Sequence, residues 1–461
     1  MDTAVADAAA MLSASGVRVL ATVLDNTPAF VALDEAALQL GIVHVPLPQF
    51  FSPAQMQHAL HAAGVDALLV PGPLADVWHG PDWRPCEVAA EPLMRARLPA
   101  APATLPAHTA KISFTSGTTG APKGVCLGAG ALRRVALGLV EALAPLQIER
   151  HLNALPFAVL LENIAGLMAP RRQGATLLTL PLRDIGLRGA SGFDAARFQA
   201  VVQQQQPHSL ILLPQMLRAW CGHLMHSGQR APASLKLVAV GGAAVGAPLI
   251  RAAQALGIPA CEGYGLSEGG SVQTLNLPAA QRPGSAGRVL PHARLRIAPD
   301  GEVLIGGSLF SGYLGDDTPL PAWWPSGDLG YLDADGYLQL RGRKKHVLIT
   351  AYGRNVSPEW VETALLAQPV LGQAVVFGDG EAALSAVLWP LQSGSDDAAL
   401  QAAVDAANAA LPDYARIARW TRGRADFDAR SGMATANGRP RRGAILQQHA
   451  DALGLAHELT P

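Results

Sequence analysis

The sequence predicts an α/β protein. It should have a large N-terminal domain of layered α/β subdomains plus a β-rich subdomain, followed by a small α+β C-terminal domain. Three observations support this prediction: strand and helix patterns alternate over the first 280 residues or so, short alternating runs follow residue 283, and new helical patterns begin after residue 345. We therefore place the domains at residues 1–343 and 344–461.

The first third of the chain alternates between strand-like and helix-like segments. The expected strands are residues 17–24, 41–46 and 65–70, and the expected helices are residues 30–40 and 53–64. Such alternation implies a sheet covered on both faces. Residues 71–106 are rich in Pro and Ala, so we expect a surface connection there.

The same pattern returns further along the chain. Strands are expected at 111–115, 124–127, 209–213 and 235–240, with helices from 129 and over 215–225. Short runs at 293–297, 301–305, 330–332 and 337–341 predict the β-rich subdomain. C-terminal helices are expected at 396–411, at 442–453 and from Ser357-Pro358, where Ser would cap the helix and Pro would occupy its first turn.

Composition excludes some classes of protein. With 461 residues and 49% hydrophobic residues, the chain is long and apolar enough for more than one core. Its 35 Lys and Arg nearly balance 36 Asp and Glu, which argues against a nucleic-acid partner. Asp2 and Asp7 do not fit a signal peptide, and no apolar run is long enough for a transmembrane segment. The four cysteines show no paired spacing, which predicts a reduced, cytoplasmic setting.

A loop rich in glycine and hydroxyl groups is the strongest signal for a binding site. It follows a predicted strand and consists of Thr115, Ser116, Gly117, Thr118, Thr119, Gly120, Ala121, Pro122, Lys123 and Gly124. The glycines expose backbone N–H groups, the hydroxyls add donors and Lys123 adds a positive charge, so the loop can wrap a polyphosphate. It is not the common nucleotide loop, because Pro122 precedes the Lys and Gly124 follows it.

With this loop the chain resembles the adenylate-forming (AMP-binding) superfamily, in particular its acyl-CoA synthetase and fatty acid ligase branch. Residues 116–124 match the family's phosphate loop, and the resemblance extends over residues 17–449. It implies that the loop holds the β- and γ-phosphates of ATP. It also implies that the substrates and cofactors are a small carboxylic acid, ATP, Mg²⁺, and coenzyme A or the phosphopantetheine of an acyl carrier protein.

A second motif, Gly263-Tyr264-Gly265-Leu266-Ser267-Glu268, predicts the nucleotide site. A Tyr between glycines has room to lay its ring on a base, and a carboxylate nearby suits Mg²⁺. By resemblance, Tyr264 stacks on adenine, Ser267 contacts the phosphates and Glu268 coordinates Mg²⁺. Gly242 and Ala243 are similar to the family's adenine-binding edge.

The same stretch permits a different interpretation. Residues 265–269 fit the Gly-x-Ser-x-Gly elbow of α/β-hydrolases, which requires a helix directly after the serine. Here Gly269-Gly270 instead opens a loop rich in Gly, Asn and Pro. The hydrolase interpretation is therefore the weaker of the two.

Two further segments complete the predicted nucleotide site. Asp328, between glycines, fits either a simple Asx turn or, by resemblance, the carboxylate that binds the ribose hydroxyls. Arg343 resembles the family's arginine near ribose and phosphate. Lys345 falls at the family's hinge, about which a mobile C-terminal domain turns, and Gly353 at its thiol tunnel.

One position departs from the family pattern. The family has a catalytic lysine in a C-terminal Gly-Lys loop, and here that position is Arg439, after Gly438. Arg is not equivalent to Lys, because a guanidinium is a planar fork, although it carries the same charge. Three hypotheses follow. Arg439 performs the role itself, Arg441 or Arg442 replaces it, or adenylation is slow and the chain is specialised for the second half-reaction.

The segment Phe157-Ala158-Val159 matches the family's acyl pocket. Relatives that activate amino acids have Asp at the position of Ala158, so an α-amino acid would leave a buried charge unpaired here. A fatty or other hydrophobic acid is therefore the expected substrate, although these residues also suit a plain core. Cys221, His223 and His226 lie close in sequence, but their spacing does not place them on one helix face, which argues against zinc.

These motifs predict an AMP-forming acid–thiol ligase. The acid would be activated as an acyl-adenylate, with Lys123, Glu268 and Arg439 as catalytic residues, and then transferred to coenzyme A. The alternatives are an acyl-AMP ligase that loads a carrier protein and an adenylation-impaired nucleotide-binding regulator.

Overall fold

The architecture comes from a computed structural model that describes residues 2–78, 81–99, 103–115, 122–189, 192–392, 394–428, 431–435 and 438–455. The N-terminal part contains α1 (Asp2–Ser15), β1 (Val19–Thr22), α2 (Pro28–Leu40), β2 (Val43–Pro46), α3 (Pro53–Ala62), β3 (Ala67–Pro71), α4 (Gly72–Val77), β4 (Arg84–Val88), β5 (Glu91–Arg97), β6 (Thr109–Thr115), β7 (Lys123–Gly128) and α5 (Ala129–Leu143).

The middle part continues through a second series of strands and helices. It contains a 3-10 turn (Ala144–Leu146), β8 (Arg150–Leu152), a π-helical turn (Glu162–Met168), α6 (Ala169–Gln173), β9 (Thr176–Leu178), α7 (Leu182–Ile185), β10 (Leu187–Arg188), β11 (Gly192–Phe193), α8 (Ala195–Gln205), β12 (Ser209–Leu212), α9 (Pro214–Ser227), β13 (Leu237–Val240), α10 (Ala247–Ala255), β14 (Ala260–Tyr264), a 3-10 turn (Ser267–Gly269), β15 (Thr274–Leu275) and β16 (Arg288–Val289).

The last part is first β-rich and then mixed. It contains β17 (Ala293–Ile297), β18 (Glu302–Gly307), β19 (Gly312–Tyr313), β20 (Trp324–Leu332), β21 (Leu338–Arg343), a 3-10 turn (Lys344–His346), β22 (Leu348–Ile349), β23 (Asn355–Val356), α11 (Pro358–Leu366), β24 (Leu371–Phe377), β25 (Leu384–Pro390), α12 (Asp397–Ala409), a 3-10 turn (Asp413–Ala415), β26 (Ile417–Arg422) and α13 (Arg442–Leu453).

Within the described residues, two large sheets form the N-terminal domain. One has the order β19-β7-β6-β2-β1-β3-β5-β4, and the other β16-β15-β14-β13-β12-β8-β9. The central strands of both run parallel, as expected for strands that alternate with helices. A core cluster joins the sheets through Leu127 of β7, Leu132 of α5, Ile164 of the π-helical turn and Leu275 of β15.

Helix α2 shows how local sequence sets the boundaries of these elements. Thr27 is its N-cap and accepts a hydrogen bond from the backbone N–H of Phe30, and Pro28 occupies the first turn. The helix ends at Gly41, whose φ of 70° is a left-handed conformation that glycine adopts without strain. The predicted helix over residues 30–40 is therefore confirmed, and it begins two residues earlier than expected, at Pro28.

Two smaller sheets follow. Strands β17, β18, β20 and β21 form an antiparallel sheet, which confirms the predicted β-rich subdomain. Strands β24, β25 and β26 form a second sheet that α11, α12 and α13 accompany, and this is the small α+β C-terminal domain. Its main core cluster includes Val361, Val376, Leu388 and Leu400, all fully buried. The fold class is thus as predicted, while the exact boundary at 343/344 stays a prediction.

Two local expectations were wrong. Residues 71–106 are not merely a surface connection, because β5 pairs antiparallel with β3 and β4 pairs with β5 to form the edge of the first sheet. Prolines are tolerated in such edge strands. Ser357 occupies the N-cap position of α11 but makes no side-chain cap; its hydroxyl instead donates to the Glu359 carboxylate at 3.0 Å.

A buried charged network ties the first sheet to the π-helical turn. The ammonium group of Lys111 lies 2.7 Å from the carboxylate of Asp34 and also donates to the side-chain carbonyl of Asn163. Asp34 in turn lies 2.6 Å from Nδ1 of His44. Burial acts to raise the pKa of Asp34, but Lys111 and His44 together hold that pKa below its ordinary value. Lys111 therefore compensates a carboxylate that has little access to water.

Replacing Lys111 with methionine should destabilise the protein by about 3–5 kcal/mol, because it leaves the buried Asp34 carboxylate without its cation. Urea unfolding measures the change. The additional substitution Asp34→Asn should recover part of the loss. Lys236→Met, at an exposed lysine bonded to the carbonyl of Gln147, should stay within about 0.5 kcal/mol of the wild type. Equal losses for both lysines would contradict the assignment.

Among the described residues, no helix has both the length and the apolar character needed to cross a bilayer.

Candidate active site

A cleft of about 2550 Å³ lies at the carboxyl ends of the parallel strands β12, β13 and β14. Ligands of open α/β sheets bind at this edge, because the loops there converge. The cleft is lined by Leu213 after β12, by Gly241 and Gly242 after β13 and by Tyr264 at the end of β14. Residues of the C-terminal domain, including Arg439, close it from the other side.

Glycine is required at two points of this wall. Gly242 has a φ of 85°, a left-handed conformation, and presents its carbonyl to the cleft. A Cβ atom at Gly265 would lie 1.8 Å from the carbonyl oxygen of Ser271, a distance at which two atoms cannot coexist. Any side chain at 265 would therefore push the loop that carries Ser267 and Glu268 out of place.

Tyr264, Asp328 and Arg343 form a hydrogen-bonded trio on one wall. The Tyr264 hydroxyl donates to Oδ2 of Asp328 at 2.7 Å, and Nε of Arg343 lies 2.8 Å from Oδ1. The pairing of β20 with β21 brings Asp328 opposite Arg343. Burial raises the pKa of Asp328, and the Arg343 guanidinium opposes that rise. The trio sets a carboxylate and an aromatic ring side by side, the two features that the predicted ribose and adenine contacts require.

Glu268 lies in the 3-10 turn that follows β14. It accepts a hydrogen bond from the Tyr313 hydroxyl at 2.7 Å, and Nζ of Lys123 lies 5.5 Å from the centre of the Tyr313 ring. Tyr313 carries no motif and was missed by sequence reasoning. It connects the two residues because β19 pairs with β7.

The predicted phosphate loop is framed by the structure at its two ends. Thr115 closes β6, Lys123 opens β7, and the two residues face each other in the antiparallel register. Ser116, Gly117, Thr118, Thr119 and Gly120 lie outside the described residues. Their role as phosphate ligands stays a prediction.

Arg439 reaches into the cleft from the C-terminal domain. Its Nη2 donates to the carbonyl of Gly242 at 3.1 Å. Gly438 and Arg439 form a turn whose N–H and C=O groups bond to Thr435. The side chain is exposed to the cleft, but enough protein surrounds it to lower the pKa of the guanidinium. Arg343 adds to this lowering, while Asp328 and Glu268 oppose it. Arg439, the arginine at the position of the family's lysine, thus lies beside the residues of the predicted nucleotide site.

The two remaining predicted residues of the C-terminal half are placed differently. Lys345, in the 3-10 turn between β21 and β22, lines the cleft, and burial together with the charges of Arg343, Lys123 and Arg439 lowers the pKa of its ammonium group. Gly353, with a φ of 70°, is in the turn between β22 and β23, next to Tyr352, which is 77% exposed. The structure does not bring the Gly353 turn together with Arg439.

The predicted acyl-pocket segment has two faces. Ala158 and Val159 line the cleft together with apolar neighbours such as Leu155 and Leu210. The Phe157 ring instead packs against Phe30, with ring centres 5.2 Å apart, and is 1% exposed. Phe157 therefore supports the wall from behind instead of contacting the cleft.

Glu262 is a cleft residue that sequence reasoning missed, although it directly precedes the Gly-Tyr-Gly motif. Its Oε1 accepts the backbone N–H of Val245 at 3.2 Å, while Oε2 is buried and has no hydrogen-bond partner. Burial raises the pKa of this carboxyl to about 7, although the backbone N–H groups of Val245 and Gly246 favour the charged form. The unpartnered oxygen is most easily accommodated as a protonated hydroxyl.

Glu262→Gln should make stability less dependent on pH. A pKa raised from 4.5 to about 7 means that the folded state holds a proton that the unfolded state loses, which amounts to about 3 kcal/mol. This contribution is present below the unfolded pKa and is lost as pH rises through about 7. Urea unfolding should therefore show a larger advantage of the variant at about pH 8 than at about pH 5. An equal advantage at both, or the same trend for the exposed Glu87→Gln, would contradict this.

The structure bears on two alternative interpretations of the sequence. After β14 the chain enters a 3-10 turn and then Gly270 with a φ of 74°, so the helix of a hydrolase elbow does not follow Ser267. Cys221, His223 and His226 lie on α9. Among the described residues, no group of three His, Cys, Asp or Glu could hold a metal.

Comparison with known families gives the chain its place. The profile of the AMP-binding enzyme family matches residues 1–314, and that of the AMP-binding enzyme C-terminal domain matches residues 345–458. The chain belongs to the AMP-binding enzyme family. This match confirms the resemblance to adenylate-forming enzymes that the sequence motifs indicated.

Relatives of this AMP-binding enzyme include several CoA ligases. A long-chain-fatty-acid–CoA ligase of Mycobacterium bovis is 40% identical over 32% of this chain and 26% of its own length. An indoleacetate–CoA ligase of Aromatoleum aromaticum is 31% identical over 62% of this chain and 58% of its own length. The chain thus matches between about a quarter and three fifths of the length of these relatives.

The fold is shared with solved structures of the superfamily. The crystal structure of an anthranilate CoA ligase in complex with anthranoyl-AMP superposes with a TM-score of 0.79, at 19% identity, and the match covers 98% of this chain and 92% of the other. At that identity the likeness concerns the fold, which again consists of a large N-terminal and a smaller C-terminal domain.

Proposed function

We propose that this AMP-binding enzyme uses ATP to activate a fatty or other hydrophobic carboxylic acid as an acyl-adenylate and then transfers the acyl group to the thiol of coenzyme A. One observation carries the proposal: a single cleft is lined by the Tyr264–Asp328–Arg343 trio, by Glu268 and Lys123, and by Arg439 from the small domain. This set offers a ring for a base, a carboxylate for a sugar and three cations for phosphates.

The first step needs positioning and charge neutralisation more than bond-making by the protein. The carboxylate of the acid attacks the α-phosphorus of ATP, and pyrophosphate leaves. Arg439 and Lys123 would neutralise the charge that develops on the phosphate oxygens. The Tyr264 ring and the Asp328 carboxylate would hold the nucleoside, so that the α-phosphorus faces the acid.

Glu268 fits a magnesium ligand. Its carboxylate is held by the Tyr313 hydroxyl at 2.7 Å, and Mg²⁺ in nucleotide sites is typically bound by one or two carboxylates plus phosphate oxygens. When bound, the ion would supply positive charge to the phosphates.

The expectation of a hydrophobic acid is supported by the apolar part of the cleft. Beside Ala158 and Val159, this part includes Leu143, Ile148, Leu155, Leu187, Phe193 and Leu210. The names of the relatives point to aliphatic and aromatic acids alike, since they include long-chain fatty acid and indoleacetate. We therefore propose a hydrophobic acid as the class, without a fixed chain length.

The test is a substrate screen with the purified chain. ATP and Mg²⁺ are incubated with a panel of aliphatic and aromatic acids, and with either coenzyme A or a pantetheinylated carrier protein. We expect acid-dependent release of AMP and pyrophosphate and formation of the acyl-CoA thioester. Acylation of the carrier protein but not of coenzyme A would instead identify the carrier protein as the acceptor. Nucleotide binding without AMP release for any acid would instead indicate the regulator.

A further inference from the structure

Two loops of the small domain are needed by the proposed function, and they face different directions. Arg439 lies in the cleft against Gly242, whereas the turn with Gly353 lies outside it beside the exposed Tyr352. If Arg439 serves adenylation and the Gly353 turn serves the thiol, both cannot occupy the cleft at once. The small domain must then adopt two poses, and this structure shows the pose in which Arg439 faces the cleft.

The strand that leads to the hinge is fixed to the large domain. Nζ of Lys344 lies 2.6 Å from Oδ2 of Asp300 and 2.8 Å from Oε2 of Glu302, both in the β17–β18 hairpin region. Glu302 also accepts the backbone N–H of Gly327 at 2.9 Å, next to Asp328. Residues up to Lys344 therefore remain with the large domain when the small domain turns.

Beyond Lys345 the contacts belong to the small domain. Nδ1 of His346 lies 2.6 Å from the Glu359 carboxylate of α11. The same carboxylate lies 3.6 Å from Arg442 of α13. The chain is thus held by the large domain immediately before Lys345 and by the small domain immediately after it. A rotation between the two domains is therefore confined to that residue and its two peptide bonds.

A close contact spans this pivot. A Cβ atom at Gly342, in β21, would lie 1.9 Å from the hydroxyl oxygen and 2.9 Å from the Cβ atom of Ser357, which precedes α11. Gly342 moves with the large domain and Ser357 with the small one, so rotation about Lys345 must separate them. We propose that the Gly342–Ser357 contact belongs to the adenylation pose alone, and that side-chain size at these two positions sets the balance between the two half-reactions.

This inference rests on the proposed function. It predicts that a larger side chain at residue 357 slows adenylation but not thioester formation. The Ser357 hydroxyl oxygen lies 1.9 Å from the position that a Cβ of residue 342 would take, so a methyl group in place of that oxygen would crowd Gly342 in the pose seen here. The same methyl group would meet no such obstacle in a pose in which the two residues are apart. Ser357 has φ −77° and ψ 117°, an extended conformation that valine adopts readily. Ser357→Val therefore adds volume without adding backbone strain. Gly342→Ala is less clean, because the φ of 128° at Gly342 is itself unfavourable for alanine.

The experiment measures the two half-reactions separately. Adenylation is followed by ATP–pyrophosphate exchange with an acid found active in the screen, and thioester formation by reaction of the presynthesised acyl-adenylate with coenzyme A. Ser357→Val should lower exchange about tenfold or more while thioester formation stays within about twofold of the wild type. Ser395→Val, in the loop before α12, is the matched control and should change neither rate.

A double substitution tests the contact itself. Gly342→Ala should also lower exchange selectively, and adding Ser357→Gly should restore part of it. The double substitution removes the two close atoms of Ser357, whereas the carboxylate oxygen of Glu359 at 2.8 Å and the unfavourable φ of residue 342 remain. Parallel loss of both half-reactions in Ser357→Val, or loss of neither, would overturn the inference even if the wild type is active in both. A wild type inactive in both assays would instead defeat the proposed function, and the inference with it.

Discussion

Arg439→Ala is expected to reduce ATP–pyrophosphate exchange about a hundredfold, with thioester formation from the presynthesised acyl-adenylate little changed. The reason is placement: the guanidinium lies on the cleft side of the small domain, 3.1 Å from the Gly242 carbonyl. If this guanidinium neutralises the charge that develops on the phosphate, as we propose, its removal raises the barrier of the first step only. Arg439→Lys keeps the charge and should retain most of the activity, which separates the role of charge from that of the planar fork.

The neighbouring arginines provide the control for this prediction. Arg442 is engaged elsewhere, because its guanidinium lies 2.7 Å from the Glu362 carboxylate and also donates to the Val376 carbonyl. Arg441 precedes α13 in the same segment, so Arg441→Ala is the matched substitution. Loss of exchange in Arg441→Ala, with full exchange in Arg439→Ala, would transfer the role to Arg441. Very slow exchange already in the wild type would favour specialisation for the second half-reaction.

The elements of the fold could be predicted from the sequence because hydrophobic periodicity is a local property. The segments that became α2, β12 and β17 were all found within a few residues. The edge hairpin of β4 and β5 was missed, because its prolines suggested a connection and only pairing with the distant β3 makes it a strand.

The candidate site was predictable where a motif carries it and unpredictable where a tertiary contact does. Glycine-flanked Tyr264 and Asp328 could be named in advance, but not the hydrogen bond that joins them across 64 positions of the chain. Tyr313 lies in no motif, and Ser357 could be named only as a helix cap. Their importance arises from what they contact: Glu268 in the case of Tyr313, and Gly342 in the case of Ser357. Periodicity and spacing contain no information about such long-range contacts.

The second large effect is expected at one of these contacts. Asp328→Asn should weaken ATP binding about 30-fold, seen as a higher KM for ATP or a higher Kd by titration calorimetry, with a smaller change in kcat. The amide removes the negative charge that faces Arg343 at 2.8 Å and replaces one oxygen acceptor by a donor. Because the Arg343 side chain is 33% exposed, water compensates part of the lost ion pair. We therefore expect a smaller loss of affinity than the substitution of a fully buried ion pair would cause.

Two controls distinguish a nucleotide contact from a general effect on the β-rich sheet. Asp333→Asn breaks the ion pair with Arg282 at the β20–β21 turn, and that pair lies apart from the residues that line the cleft. It should leave ATP affinity nearly unchanged. Tyr264→Phe keeps the ring and removes only the hydroxyl that donates to Asp328 at 2.7 Å, so a loss of a fewfold is expected. If Asp333→Asn weakened ATP binding as much as Asp328→Asn, the effect would arise from the stability of the sheet, and the ribose assignment of Asp328 would fail.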